Sequence, residues 1–287
     1  MTTLAAQAPA AEDPVDALMR SIRIPPRPSL LIDLQRELAR PCPSPRAIAH
    51  IITNDVGIAG ALLKLANSPF YGRARKASSV EQGINFLGIN TCSALVTGLL
   101  ARQALDGDGA ALANFWEVSA KRAQALVFLT RKLHVGAPDI AHTFGLFCDI
   151  GVPLLIERFP DYVQTFAIAG DQGDTCFTEF EDARHATNHA AIGCLLARNW
   201  GLPEDISWAI LLHHDYRIFD DATTGAAIRT LVALALLAEK AIQRYYGDSV
   251  VPEWDKGGAP ACRHLGLSED DCADLLDELH ELFETDH

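Results

Sequence analysis

The sequence predicts an all-α protein, a helical bundle carrying an N-terminal helical subdomain. Apolar residues recur at helical spacing almost throughout: Ile48, Ile51 and Ile52 share a face, as do Ile58, Leu62 and Leu65 at i, i+4, i+7. Period-2 alternation bounded by turns is scarce, which argues against a sheet. Helix punctuation supports both points. Asp55 reads as an N-cap, and Ser78 with Glu81 as a capping box before Ile84 and Leu87. Gly201-Leu202-Pro203 reads as a stop and restart, with Gly past one helix end and Pro in the next first turn.

Taken in order, residues 1–19 begin MTTLAAQAPAAEDP and read as a disordered Ala/Pro tail. The first helical block includes a helix from Thr91 to Leu105 and ends at Asp106-Gly107-Asp108-Gly109. A second block starts near Phe115, with helices expected over Trp116–His134, Pro138–Phe159, Ala183–Trp200, Pro203–His214 and Ala226–Tyr245. Gly247 to Gly258 is expected to be a loop, and Ser268 with Asp271 to cap a final acidic helix. The expected division is thus a tail (1–19), one domain (20–246, in halves 20–109 and 110–246), and a loop with an acidic helix (247–287).

Composition bounds the function. A chain of 287 residues can bury a large core in one or two domains. Hydrophobic residues make up 49%, yet the longest apolar run, Leu231 to Ala238, is too short to span a bilayer, so no membrane insertion is expected. The N-terminus lacks a basic stretch followed by an apolar core, so it is not read as a secretory signal, and the cytoplasm is the expected location. A net charge of −13 opposes binding to nucleic-acid backbone. Lys64, Arg73, Arg75 and Lys76 read as a solvated loop beside a helix end. The cysteines (Cys42, Cys92, Cys148, Cys176, Cys194, Cys262, Cys272) are odd in number with no C-x-x-C pair, and read mostly as small buried side chains rather than a disulfide framework.

Five polar residues sit in or beside strongly apolar sequence: Cys148 and Asp149 in FGLFCDIG, His189 in TNHAAIG, and His213 and His214 in AILLHHD. Burying such groups is costly unless something pairs with them. They also carry a resemblance. The segments IPPRPSLLIDLQREL (24–38), HIITNDVGIAGALLKLANSPFYG (50–72), SSVEQGINFLGINT (78–91), FWEVSAKRA (115–123), FGLFCDIGVPLL (144–155) and HAAIGCLLARNWGLPEDISWAILLHH (189–214) resemble the HDOD domain. This is a bacterial helical module related to the HD phosphohydrolases. The likeness spans residues 20 to 246, and the Asn67-Ser68 turn together with WGLP ending in two histidines makes it specific.

The resemblance implies an HD-like bundle. In HD enzymes a His, a His-Asp pair and a later Asp hold metal, which acidifies a bound water and polarises a phosphoryl oxygen. Those positions correspond here to Val118, Cys148 and Leu236, with Asp149, His189, His213 and His214 remaining. Val and Leu have no lone pair to donate. Removing even a partner behind the ligands costs about tenfold to a hundredfold in affinity or activity.

The residues also have plainer readings. Asp149 reads as a structural carboxylate accepting hydrogen bonds, and Cys148 as a buried inert thiol with no cation near in sequence. Neighbours on a helix point about 100° apart, so His213 and His214 share one ion only if the helix ends there. His185 and His189 stand at i, i+4, and read as one solvated and one partly buried. Asn67, Phe70 and Tyr71 read as a helix-ending turn whose aromatics, if exposed, would meet a partner.

The expectation is therefore a noncatalytic bacterial regulatory module, with no cofactor and no metal. If a metal binds, Asp149, His189, His213 and His214 hold it. The resemblance implies roles in motility, stress response or cyclic-nucleotide signalling, often beside receiver, EAL or GGDEF domains. None of these domains fits here, so partners are expected in trans, with a small nucleotide as a candidate ligand. The alternative is a metal-dependent nucleotide phosphohydrolase with a remodelled site.

Overall fold

Helical periodicity is realised along the whole described chain. In a computed structural model, residues 21–71, 76–105 and 110–285 are described, and no strand occurs among them. The expected N-terminal tail, the Asp106–Gly109 break, Arg73 and Arg75 lie outside the described residues. The first block holds α1 (Ser29–Leu38), α2 (Pro45–Thr53), α3 (Val56–Ala66), α4 (Val80–Leu87) and α5 (Ile89–Leu105). The second holds α6 (Ala110–Leu133), α7 (Pro138–Phe147), α8 (Gly151–Arg158), α9 (Tyr162–Gly170), α10 (Phe177–His185), α11 (His189–Asn199), α12 (Glu204–Leu212), a short 3₁₀ turn (Tyr216–Phe219) and α13 (Ala226–Tyr246). Helices α14 (Pro252–Leu265) and α15 (Glu269–Thr285) close the chain.

Side-chain caps set many of these boundaries. Asp55 accepts from the Ile58 amide at 3.0 Å, as its position predicts. Ser268 and Asp271 form a reciprocal box: the Ser268 amide donates to Asp271 at 2.9 Å and the Asp271 amide to Ser268 Oγ at 3.1 Å. The cap of α4 falls one residue later than expected. Ser79 accepts from the Gln82 amide, while Gln82 Oε1, rather than Glu81, receives the Ser78 amide and hydroxyl.

Three expected elements are corrected. Pro138–Phe159 is two helices, α7 and α8, separated by a turn at Cys148–Ile150. Ala183–Trp200 is broken by Ala186, in the left-handed region at φ 56°, and restarts under an Asn188 cap. The expected loop at Gly247–Gly258 instead contains the start of α14, with Pro252 in its first turn. Glycine there serves packing, since a Cβ on Gly257 would lie 2.6 Å from the Tyr216 ring.

One apolar core runs through both blocks, from Leu31 and Leu34 through Leu126, Phe144 and Phe147 to Phe283. The WGLP segment joins the blocks. Trp200 is fully buried and its indole donates to the Pro25 carbonyl at 3.0 Å, while Gln35 donates to the carbonyls of Trp200 and Gly201 at 3.2 Å. The stretch Pro138–Arg158 does reach the length and apolarity of a membrane span, contrary to the sequence reading. However, 78% of that window is buried in the protein and the turn divides it, as befits a core element.

The Asn67-Ser68-Pro69-Phe70-Tyr71 turn is mainly structural. Asn67 ends α3, donates to the Ala77 carbonyl at 2.9 Å and accepts from the Ala77 amide at 2.7 Å. Tyr71 is buried, packed edge-on against Phe70 at 4.6 Å, so it is not available as a surface contact; Phe70 is half-buried.

His142 on α7 is buried, its Nδ1 has no hydrogen-bond partner among the described residues, and burial pushes its pKa down to about 4. The unfolded chain binds this proton below about pH 6.5 and the folded chain only near 4, so stability is lost as pH falls through that window. His142→Leu should flatten this acid limb, by up to about 3 kcal/mol. Urea unfolding of both proteins between about pH 4 and 6.5 tests it, and parallel curves would refute it.

Candidate functional site

The site gathers helix ends. Asp149 stands in the turn between α7 and α8, and His189 opens α11 directly after its Asn188 cap. His213 is the C-cap of α12, so the helix does end at Leu212 and both His213 and His214 turn inward. Their ring centroids lie 4.1 Å apart. The structure thus brings together four of the five sequence candidates as possible ligands: Asp149, His189, His213 and His214 each offer an atom within 4.8 Å of the others. Cys148 is buried beside them, within electrostatic reach of His213. Arg122 and His213 approach this thiol in space, cations that its sequence neighbours do not supply.

Each imidazole is oriented from behind. His189 Nδ1 meets Glu181 at 2.7 Å, and Glu181 also accepts from the Tyr162 hydroxyl. His213 Nδ1 donates to the Ile210 carbonyl at 2.6 Å, and His214 Nδ1 meets Glu253 at 2.7 Å. Every Nε2 is thereby turned toward one space. His213 Nε2 lies 3.1 Å from His189 Nε2 and 3.2 Å from Asp149 Oδ1, with His189 Nε2 to Asp149 Oδ1 at 3.6 Å. Phe177 stacks on His214 at 4.5 Å.

The other Asp149 oxygen is taken. Arg122 Nη2 lies 2.7 Å from Asp149 Oδ2 and 2.8 Å from Glu239 Oε2, with the Arg122 side chain 5% exposed. Burial opposes the Asp149 charge, but Arg122 and then His213 hold its carboxyl well below the usual range. For His213, burial is outweighed by Cys148 and the hydrogen bond to Asp149, which push its pKa up to about 10. Burial and the neighbouring His213 push His214 down to about 4. The Glu253 carboxyl is lowered to about 2 against burial, by hydrogen bonds from His214, Lys256 and Tyr216.

A cavity of about 410 Å³ opens beside the cluster, walled by Phe115, Val118, Val152, Phe166 and Leu236, among others. Val118 and Leu236, which the resemblance aligns with ligand positions of HD enzymes, form apolar wall here. Sequence reasoning missed Arg122, Glu181, Glu239 and Glu253. Arg122 stands one turn after Val118, a spacing that could have drawn attention to it. Glu253 lies outside the resembling stretch. His185 is corrected: it is buried, meets Thr165 Oγ1 at 2.9 Å, and Ala186 places it on a different helix from His189.

The donor set fits one first-row divalent cation. Three oriented imidazoles and a carboxylate suit such an ion, and the Asp149–His189–His213 separations of 3.1–3.6 Å match neighbouring ligands of one centre. A second ion is not provided for, because Val118 and Leu236 cannot ligate and Arg122 occupies Asp149 Oδ2 and Glu239.

An all-helical bundle that gathers this His/Asp cluster defines an HD-like domain. The chain belongs to the HDOD family, whose domain model matches residues 24–216. A Treponema pallidum (strain Nichols) protein of uncharacterised function is 23% identical over 194 residues, spanning 67% of this chain and 38% of that relative's length. Among solved structures, an HDOD domain protein of unknown function from Geobacter sulfurreducens superposes with a TM-score of 0.71 at 22% identity, covering 94% of each chain. A Shewanella amazonensis SB2B protein classed by name with the phosphohydrolases gives 0.71 at 19% identity, over 94% of this chain and 95% of that one. A Marinobacter aquaeolei VT8 protein classed with signal transduction gives 0.68 at 18%, over 96% and 60%. At these identities the likeness shows the fold.

Proposed function

We propose that this chain is a noncatalytic cytoplasmic regulatory module of bacterial signalling, acting through contacts with signalling proteins or through a small ligand in the Asp149 pocket. The observation that carries this reading is Arg122. Its guanidinium supplies, from within the chain, positive charge that a second metal would bring to Asp149 and Glu239. A hydrolytic centre needs a polarising cation and an activated water. Here one carboxylate oxygen is committed to Arg122, and the places of two expected ligands are apolar wall. Asp149, Glu239 and Glu253 also line the pocket against Arg122 and a protonated His213, so a phosphate-rich ligand still meets more negative than positive charge. A nucleotide would enter with its base against Phe177 and Phe166 rather than its phosphates against the cluster.

A second reading, a metal-dependent nucleotide phosphohydrolase with a remodelled site, is favoured by the convergence of four ligand atoms. Asp149, His189, His213 and His214 would hold one ion, and such an ion supplies Lewis acidity when bound. Glu181, the Ile210 carbonyl and Glu253 would keep the imidazoles in the ligating tautomer.

Metal analysis of the purified chain, with turnover on a nucleotide panel in added manganese, iron or zinc, separates the two. The expected result is no turnover above background and no change on Asp149→Ala, whether or not an ion is bound. Robust turnover that disappears with Asp149→Ala would overturn the noncatalytic reading.

A further inference from the structure

The helices α14 and α15 lie beyond the family-matched residues, and they bring two cysteines together. Cys262 on α14 and Cys272 on α15 place their Sγ atoms 2.7 Å apart, well inside van der Waals contact, and both are free thiols. They are ten residues apart in sequence and sit on either side of the turn capped by Ser268. Closing so short a loop requires little further ordering of the folded chain.

The surroundings suit reaction. Cys262 is half-exposed and Cys272 buried, and both line a surface cavity of about 550 Å³ with Trp254, Lys240 and Arg263. The Lys240 ammonium sits 4.3 Å over the Trp254 ring and within electrostatic reach of both sulfurs. A nearby cation favours the thiolate, the form that attacks an oxidant. Cys262 is the more exposed of the two, so an oxidant meets its sulfur first, and the buried Cys272 is the one that resolves.

We infer that Cys262 and Cys272 are a reversible thiol–disulfide pair, oxidised by a hydroperoxide and reduced by a dithiol. In the first step the Cys262 thiolate attacks the peroxide oxygen. The O–O bond breaks, sulfur loses two electrons and becomes a sulfenic acid, and water or an alcohol leaves. The Cys272 sulfur then attacks the sulfenic acid sulfur, forming S–S and releasing water. Reduction by a dithiol returns two thiols and one oxidised reductant.

The consequence reaches the pocket. Helix α14 carries Glu253, which orients His214 and accepts from Tyr216. A bond between α14 and α15 therefore stiffens the helix that supplies one wall of the pocket. This inference does not depend on whether the pocket is catalytic.

The test treats the full chain with hydrogen peroxide, then blocks remaining thiols with iodoacetamide in denaturant, and maps the peptides by mass spectrometry. The expected product links the Cys262 and Cys272 peptides, two hydrogens lighter than the reduced pair and absent after dithiothreitol, while the exposed Cys42 is alkylated. Oxidation should raise the melting temperature by several degrees, and Cys262→Ser should abolish that rise. Should the Cys272→Ser chain fail to fold, the half-exposed Cys262→Ser variant and the variant-free peptide map still decide the matter. Full alkylation of both cysteines after peroxide, or Cys262 carried to sulfinic acid without a link, would overturn the inference.

Discussion

Arg122→Met is expected to destabilise the protein by about 3–5 kcal/mol, because it leaves buried negative charge without a partner. Asp149 and Glu239 both depend on one guanidinium nitrogen, at 2.7 and 2.8 Å, and their side chains are 13% and 25% exposed. Partial hydration of Glu239 places the expected loss toward the lower end. The penalty arises from unpaired charge rather than lost packing, which makes the result specific. Adding Asp149→Asn and Glu239→Gln to Arg122→Met should recover most of it, since neutral amides bury more cheaply. Arg122→Lys should recover part, because an ammonium keeps the charge but loses the planar fork. Urea unfolding with an unchanged slope measures each change. A loss below about 1 kcal/mol for Arg122→Met would remove the central role given to this residue.

Gly151→Ala is the second large effect. A Cβ at Gly151 would stand 2.1 Å from the His189 carbonyl oxygen and 2.9 Å from the Gly193 amide nitrogen. Both obstacles are backbone, so no side-chain rotation relieves them, and α8 and α11 must separate. A loss of about 3 kcal/mol or more is expected, at the upper end of overpacking costs. The separation would also carry His189 away from Asp149, so the imidazole NMR signals of His189 should shift with the melting temperature. Gly60→Ala is the control, since a Cβ there meets nothing within 4 Å. In a helix interior that change should be neutral or stabilising by up to about 1 kcal/mol. A Gly151→Ala chain as stable as the parent would refute the close approach.

Much of the fold could be read from local pattern. Helical spacing, the Asp55 cap and the Ser268–Asp271 box act within a few residues, so neighbours in sequence are enough to reveal them. The breaks were less legible. Ala186 in a left-handed conformation carries no glycine signal, and Cys148–Ile150 interrupts an apolar run only because α8 must pack on α11. The stretch Gly247–Gly258 reads as loop, yet it holds the start of α14, where Gly257 gives room to the Tyr216 ring.

For the site, sequence alone identified Asp149, His189, His213 and His214 as polar residues in apolar surroundings, and the apolar replacements Val118 and Leu236. Their convergence depended on α12 ending at Leu212, and their electrostatics on Arg122, Glu239, Glu181 and Glu253. These partners come from helices distant in sequence, and Coulombic pairing falls off with spatial separation rather than sequence separation. What the sequence by itself determined was an all-helical HDOD chain with a set of polar residues placed in apolar surroundings. What only the tertiary structure decided was which charges meet there, that an internal guanidinium occupies Asp149 and Glu239, and that Cys262 and Cys272 face each other. Local periodicity writes helices, whereas only packing brings remote side chains within ångströms of one another.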